Sequence, residues 1–392
     1  MTQVKAGVLI DADEQDMTET LKITIAGAGI GGLAAATALA RQGQRVRVVE
    51  RAGQIAEVGA GIQISPNGWK VIEALGLSDA LATRAMRARA VRLVDGVSGR
   101  DVVRLDLAST GLPWHLIHRS DLIDVLKTGA EAAGAAIETG RMVEPPPEGA
   151  ALDGDGLLIG ADGLKSAVRA RVDEASKPFF TRQVAWRAVI PEDANAPGEI
   201  EVHMGPGRHL VSYPLPGGRR NIVAVEERTA WAEEGWSHMD HPANLRGAFA
   251  GFKGPVRDWL ARVDEVFLWG LFRHRVAHRW HYGRQVLLGD AAHPTLPFLA
   301  QGANLALEDA CVLAAKLSAL PVEDALAAYQ TLRHDRAAKV VDAASRNARN
   351  YHLSFPPARL IGHAALRMIG AVAPDRLLAR YDWIYRYDAT RA

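Results

Sequence analysis

Gly27, Gly29 and Gly32 stand in the spacing G-x-G-x-x-G, and no other feature of the chain limits its fold as sharply. Before them runs LKITIAGA, apolar and β-branched; after them LAAATALARQ carries strong helix formers, and QRVRVVER then reads as a second strand. Strand, glycine turn, helix and strand within about thirty residues make a βαβ unit, the context in which such a glycine pattern becomes informative. There Gly27 permits the tight turn, Gly29 lets a pyrophosphate approach the backbone, and Gly32 lets helix and strand pack closely. The helix N-terminus presents its partial positive charge to the phosphates. Glu50, at the end of the second strand, is placed to accept hydrogen bonds from an adenosine ribose. The motif alone does not choose between FAD and NAD.

Further along, residues 121–139 repeat helix then strand, and the turn-rich EPPPEGAALDGDG leads into a third apolar strand, LLIGADG. The run Pro145, Pro146, Pro147 excludes regular structure at that point. Between about 181 and 275 the texture changes to alternating strands (VAWRAVIP, EIEVHMG, HLVSYPL, NIVAVEE) separated by Gly/Pro turns, the pattern of a mainly antiparallel sheet. RQVLLGDAAHP returns to a buried strand ending in a turn, and the chain beyond Asn304 is helical in composition.

Length and composition bound what this pattern can belong to. The 392 residues allow two or three domains, and 46 basic against 45 acidic side chains leave no electrostatic footprint for nucleic acid. One cysteine, Cys311, excludes an intrachain disulfide and any Cys-based zinc, iron–sulfur or Cys-x-x-Cys redox site, which fits a reducing, cytoplasmic compartment. No apolar run reaches the ~18 residues of a membrane span; Leu360 to Pro374 is cut by His363 and Arg367, so a soluble protein is expected. The opening MTQVKAGVLIDADEQD lacks the cationic start and apolar segment of a secretory signal. Met17 reads as a natural start, and residues 1–20 are expected to form a disordered extension.

Two further motifs give the dinucleotide an identity. GADGLKSAVR at 160–169 puts Asp162-Gly163 after an apolar strand, with Ser166 and Arg169 beyond, and LLGDAAHPTLPFLAQGANLALEDA at 287–310 puts Gly289-Asp290 after another. With the N-terminal fingerprint these resemble, in order and spacing along nearly the whole chain from residue 21, the three signatures of the single-component FAD-dependent aromatic hydroxylases. The branch they look like is that of salicylate hydroxylase, 3-hydroxybenzoate 6-hydroxylase and 6-hydroxynicotinate 3-monooxygenase, which YDWIYRYD near the C-terminus also resembles. The resemblance implies bound FAD, NADH or NADPH as transient co-substrate, O2, and a small phenolic or hydroxylated heteroaromatic acid hydroxylated through a flavin C4a-hydroperoxide. A homodimer is left open as the assembly.

Residue chemistry and resemblance together nominate a site. Asp290 at a strand end can hold ribityl hydroxyls, and Gly302-Ala303-Asn304 opens a long helix whose N-terminal amides would face the flavin pyrimidine ring. By resemblance Asp162 also contacts the cofactor, Arg119 lies near the pyrophosphate, Arg51 beside the adenosine, and Val58 and Gly59 beside the flavin. His209 and Tyr213 are four apart, hence on one face of an alternating strand. The branch has a histidine and a tyrosine there beside the substrate ring, and His209 is the candidate base for the phenol proton, with Tyr213 its catalytic partner. Pro297 matches a family proline whose carbonyl faces the substrate. Two departures stand out: Ala300-Gln301-Gly302 where many relatives have Gly-Gln-Gly, and a short stretch between Met142 and Leu157 on the adenine side, near Val143. His274, His278 and His281 make H-x3-H-x2-H, but interleaved Arg273, Arg275 and Arg279 would repel a metal, so a solvated basic face is expected. Trp186 is expected in the sheet core.

The expected architecture is α/β (α+β): a Rossmann-like FAD-binding domain from residues 21–180 and 276–345, an inserted mainly antiparallel substrate domain at 181–275, and C-terminal helices at 346–392. Three other readings compete. A ubiquinone-pathway ring hydroxylase would associate with a membrane, an NAD dehydrogenase would need neither Asp162-Gly163 nor Gly289-Asp290, and a non-catalytic flavin-binding interaction protein would need neither His209 nor Tyr213.

Overall fold

The computed structural model describes residues 20–55, 60–147, 156–173, 177–229 and 238–392. The N-terminal stretch and the pair Val58 and Gly59 therefore lie outside the described residues, Thr20 excepted.

Lys22–Ala26 and Arg45–Val49 pair in parallel, joined by the helix Ile30–Arg41. Ala34, Ala35 and Ala36 of that helix are completely buried, in one core with Leu307 and Ala310 of the helix Gly302–Ala319. Six strands form this first sheet, in the order 281–282, 285–287, 157–160, 22–26, 45–49, 136–138. All pair in parallel except the edge hairpin His281–Tyr282 with Gln285–Leu287. The strands 157–160 and 285–287 are buried on both faces, and Ile25 and Val48 of the neighbouring strands are fully enclosed, as a parallel sheet covered by helices requires. The carboxyl ends of its three central strands open into Gly27, Asp162 and Asp290, the edge of an open α/β sheet where ligands sit.

The second sheet has eight strands, ordered 238–240, 266–273, 179–191, 219–227, 208–215, 199–205, 90–95, 100–106. It is antiparallel apart from Glu199–Gly205 beside Ala90–Asp95, which run parallel. Two of its strands thus come from residues 90–106, within the stretch expected to belong to the nucleotide-binding part. Their partner strand is about a hundred residues further on, so no hairpin turn signals the pairing. Trp186 is fully buried on one face of this sheet against Phe249, with Trp259 in the same cluster, under the short helices Pro242–Ala248 and Val256–Ala261. The opposite face looks back toward the first sheet.

The helix Val322–Tyr351 ties the two sheets together. Near its start the Tyr329 hydroxyl donates to the Leu287 carbonyl (3.1 Å), and at its end His352 reaches the second sheet. The following helix, Pro356–Val372, rests on that sheet through buried His363, whose Nδ1 is 3.6 Å from the Asp95 carboxylate. Among the described residues no helix is long and apolar enough to cross a membrane.

Candidate active site

At the end of the first strand Gly27 turns with φ +102°, and a Cβ on Gly32 would lie 2.1 Å from the Gly27 carbonyl oxygen. Helix and turn are packed too closely for any side chain there. Glu50 is oriented by its own surroundings: Oε2 accepts from the Ala28 amide and Oε1 from the Ala52 amide, both at 2.9 Å. A cleft of about 500 Å³ runs past Gly27, Gly29, Glu50, Arg51, Arg119, Asp162 and Asp290. In Asp162, Oδ2 accepts from the Ala167 amide at 2.8 Å, whereas Oδ1 is buried with no partner. Burial pushes this carboxyl up against the hydrogen bonds from Ser166 and the helix amides. An orphaned buried oxygen on the cleft wall is what hydroxyl or amide donors of a ligand satisfy.

Asp290 projects its carboxylate into the same space while protein encloses it elsewhere. That enclosure raises its carboxyl, opposed by His293 and Arg119. The turn carrying it is fixed from beneath. Arg169 donates to the carbonyls of Ala291 (2.9 Å) and Ala292 (3.1 Å), so the second motif clamps the third. Asp309 accepts from the Gly289 amide (3.1 Å), His293 Nε2 lies 2.5 Å away, and Arg333 Nε donates to it at 2.7 Å. Burial alone would raise the Asp309 carboxyl, but His293 and Arg333 overcome it and hold it down to about 2. Arg333 also bridges to Glu308 at 2.7 Å.

Adjoining the cleft is a chamber of about 300 Å³. Gly29, Arg119, Asp290, Gly302 and Ala303 line it from the first sheet's side; Arg187, His209, Tyr213, Trp269 and Pro297 line it from the other. The strand Arg208–Leu215 thus brings His209 and Tyr213 to one wall, both almost wholly buried. Tyr213 fits because residue 61 is glycine: a Cβ there would be 2.7 Å from the tyrosine ring. Burial raises the Tyr213 hydroxyl, which therefore stays protonated, and Gln63 hydrogen-bonds it. Burial, and then His352, push His209 well below the usual histidine value, so its ring is neutral at neutral pH. Its Nδ1 is 2.6 Å from His352 Nε2.

Several side chains escaped the sequence reading. Arg187 lies in the chamber wall with its guanidinium 4.1 Å from the centre of the Trp269 ring. Its signal was present: if Trp186 is core on one face of a strand, its neighbour must face the other way. His352 carried no such local signal, nor did Asp309 or Arg333. Asn304 sits at the helix entry as expected, but its side chain is committed to protein. Nδ2 donates to the carbonyls of Gln63 (3.0 Å) and Ala300 (2.7 Å), and Oδ1 accepts from the Ser65 amide (3.1 Å). Ala300 adopts φ +53°, the left-handed region that favours glycine. The expected solvated face of His274, His278 and His281 holds only in part. His278 is exposed and His281 half-buried, but His274 is buried with Nε2 2.9 Å from the Leu164 carbonyl, because the strand before it carries it under the Asp162 turn.

Known proteins match this arrangement. The family described as FAD binding domain matches residues 20–151 and 156–344. The chain is similar to 3-amino-4-hydroxybenzoate 2-monooxygenase of Streptomyces cremeus, at 38% identity over 86% of this chain and 89% of that protein. It is similar to 3-hydroxybenzoate 6-hydroxylase 1 of Aquipseudomonas alcaligenes at 32% identity, over 93% of this chain and 97% of the other. Among solved structures, Klebsiella pneumoniae HpxO complexed with FAD and uric acid superposes with a TM-score of 0.78 at 28% identity, covering 91% of this chain and 97% of that one.

Proposed function

We propose, because this chain belongs to the FAD binding domain family and is an FAD-dependent aromatic-ring monooxygenase, that its substrate is a small phenolic or hydroxylated heteroaromatic acid. The observation that carries this is the meeting, in one chamber, of the nucleotide-cleft residues Gly29, Arg119 and Asp290 with His209, Tyr213 and Arg187 from the second sheet. FAD, reduced by NADH or NADPH, supplies the activation of O2 and the transfer of one oxygen atom to the ring.

The chain's own residues supply position and charge. The amides of the glycine turn after Gly27 and of the helix start at Ile30 suit the pyrophosphate, with Arg119 beside it. Glu50 and Arg51 serve the adenosine end, and the unpaired Oδ1 of Asp162 and the carboxylate of Asp290 take donors from the cofactor. The helix amides at Gly302, Ala303 and Asn304 place partial positive charge at the flavin end of the chamber. Arg187 suits the substrate carboxylate: its planar guanidinium is held on Trp269. Pro297 closes the chamber beside the ring. His209, neutral and walled from bulk water, accepts the ring hydroxyl proton so that the more electron-rich phenolate meets the oxygen donor. Tyr213, held protonated, donates to the ring oxygen. A cytoplasmic location belongs to the same reading, supported by the lone, half-buried Cys311.

A panel of hydroxylated benzoic and pyridinecarboxylic acids tests it. One member should stimulate NAD(P)H oxidation by the FAD-loaded protein and return carrying one more hydroxyl. Loaded protein that ignores the whole panel would overturn the substrate assignment.

A further inference from the structure

His209 does not end its contacts at His352. His352 Nδ1 lies 2.8 Å from Glu227 Oε1, so three titratable side chains form a continuous line: His209, His352, Glu227. The two imidazoles are buried, whereas the Glu227 side chain is half exposed. The line therefore starts in the chamber wall and ends in water. Three elements that are remote in sequence build it. His209 and Glu227 come from adjacent strands, where His209 pairs with Val225, two residues before Glu227 and on the same face. His352 comes from the end of the helix Val322–Tyr351, and its carbonyl accepts from the Gly207 amide at 3.2 Å, docking the helix end on the turn before His209.

We propose that Glu227 and His352 are positioning residues that set the tautomer of His209 and carry its proton to solvent. This rests on the reading of His209 as the base for the ring hydroxyl. A carboxylate only accepts, so His352 Nδ1 is the protonated nitrogen and its Nε2 carries the lone pair. His209 must then donate from Nδ1, which leaves its Nε2 bare. That nitrogen is the one free to take a proton. When the ring O–H bond breaks and Nε2–H forms on His209, the Nδ1 proton passes to His352 Nε2. The His352 Nδ1 proton moves to Glu227, and from there to water. Each bond broken is matched by one formed, and each imidazole ends neutral with its tautomer reversed. In the reverse shuttle water returns a proton through Glu227 to His352 Nδ1, His352 Nε2 returns one to His209 Nδ1, and His209 Nε2 gives its proton to the product's ring oxygen, which restores both tautomers. Without the route, the proton taken from the ring would stay as an imidazolium in a buried wall, where burial and the neighbouring His352 disfavour charge.

Other groups surround the line. Arg208 opposes a positive charge on His352 and is itself paired with Glu226 at 3.2 Å. The Tyr351 ring lies 5.3 Å from the His209 ring, its hydroxyl engaged with Asn347 at 2.9 Å. Arg187 stands on the same wall, and Arg119 and Asp290 stand across the chamber.

Nitrogen NMR of histidine-labelled, FAD-loaded protein tests the tautomer without any substrate. His209 and His352 should both be neutral and protonated on Nδ1, and Glu227→Ala should erase that preference at both. His209 protonated on Nε2 in the unmodified protein, or no change in Glu227→Ala, would overturn the proposal. Turnover of the aromatic acid found by the panel tests the route. His352→Gln keeps a hydrogen-bonding side chain but cannot relay a proton. It should lower kcat by about 10-fold or more, within the reach of general-base assistance, with KM and FAD content unchanged. In Glu227→Ala the rise of kcat with pH should move to lower pH, because the imidazoles lose the negative charge that favours their protonation. Full kcat in His352→Gln would overturn the route. A panel without a substrate, beside the expected tautomers, would instead count against the reading of the chamber.

Discussion

The nucleotide cleft and the ring chamber share a wall, yet they are built by opposite means. In the cleft Glu50, Asp162 and Asp290 each come just after a strand of one sheet, and Glu50 and Asp162 are oriented by backbone amides of the same βαβ or strand–helix unit: Glu50 by those of Ala28 and Ala52, Asp162 by that of Ala167. In the chamber each group is held by a residue from far away. His209 rests on His352, Tyr213 on the backbone at Gly61, and Arg187 on Trp269. A cofactor common to many proteins can be held by a locally encoded turn. A particular ring must be recognised by side chains that only the tertiary fold assembles.

The comparison predicts that damage in the two regions separates cleanly. The largest effect should come from the chamber: His209→Ala should keep FAD while slowing hydroxylation by ~10²–10⁴-fold, the range of a lost general base. NAD(P)H consumption should continue with hydrogen peroxide replacing product, and higher pH should partly restore coupling by ionising the phenol. Product and peroxide measured per NAD(P)H across pH check this, and equal coupling in the two proteins at neutral pH would remove His209 from the role.

In the cleft the reverse holds. Glu50→Ala should weaken FAD retention by about 1.5–3 kcal/mol, the worth of hydrogen bonds to a charged acceptor, and spare coupling in protein resaturated with FAD. Titration of the apoprotein with FAD measures it. Unchanged affinity would mean that Glu50 only braces the turn.

The floor beneath Asp290 should show itself as acid lability. Asp309 is held to about 2 when folded, against ~3.9 unfolded, so its contribution is complete above about pH 4 and is lost as pH falls toward 2. The shift corresponds to about 2–3 kcal/mol. Denaturant midpoints of the unmodified protein and of Asp309→Asn should converge over that window. A constant gap between them would show that Asp309 contributes through shape alone.

The order of effects follows what could be read beforehand. The βαβ unit, Asp162-Gly163 and Gly289-Asp290 were legible because strand, turn and helix follow one another within a few residues, and the turn itself orients the group. His209 and Tyr213 were legible as a pair, through the two-residue period of a strand. Arg187 was there to be read by the same period once Trp186 was placed in the core. The strands within 90–106 and the residues His352, Glu227 and Asp309 were not legible. Their partners lie a hundred or more residues away, or on the far side of a helix, and no local pattern distinguishes them from ordinary helix or strand-end residues.

The smallest effect concerns the boundary between the two regions. Ala300→Gly, at φ +53°, should relieve about 1 kcal/mol of left-handed strain, offset in part by the greater freedom of glycine in the unfolded chain. Thermal unfolding should therefore show a small rise in Tm or none. A clear fall would mean that the alanine methyl packs usefully between cleft and chamber.

Cleft and chamber act as one site in which an aromatic acid receives one atom of dioxygen. Turnover of the stimulating acid under isotopically labelled O2, with mass analysis of the product, tests it most directly. The account predicts one labelled oxygen in the new hydroxyl for each product formed. A product whose new oxygen comes from water, or labelled peroxide with an unaltered ring, would contradict it.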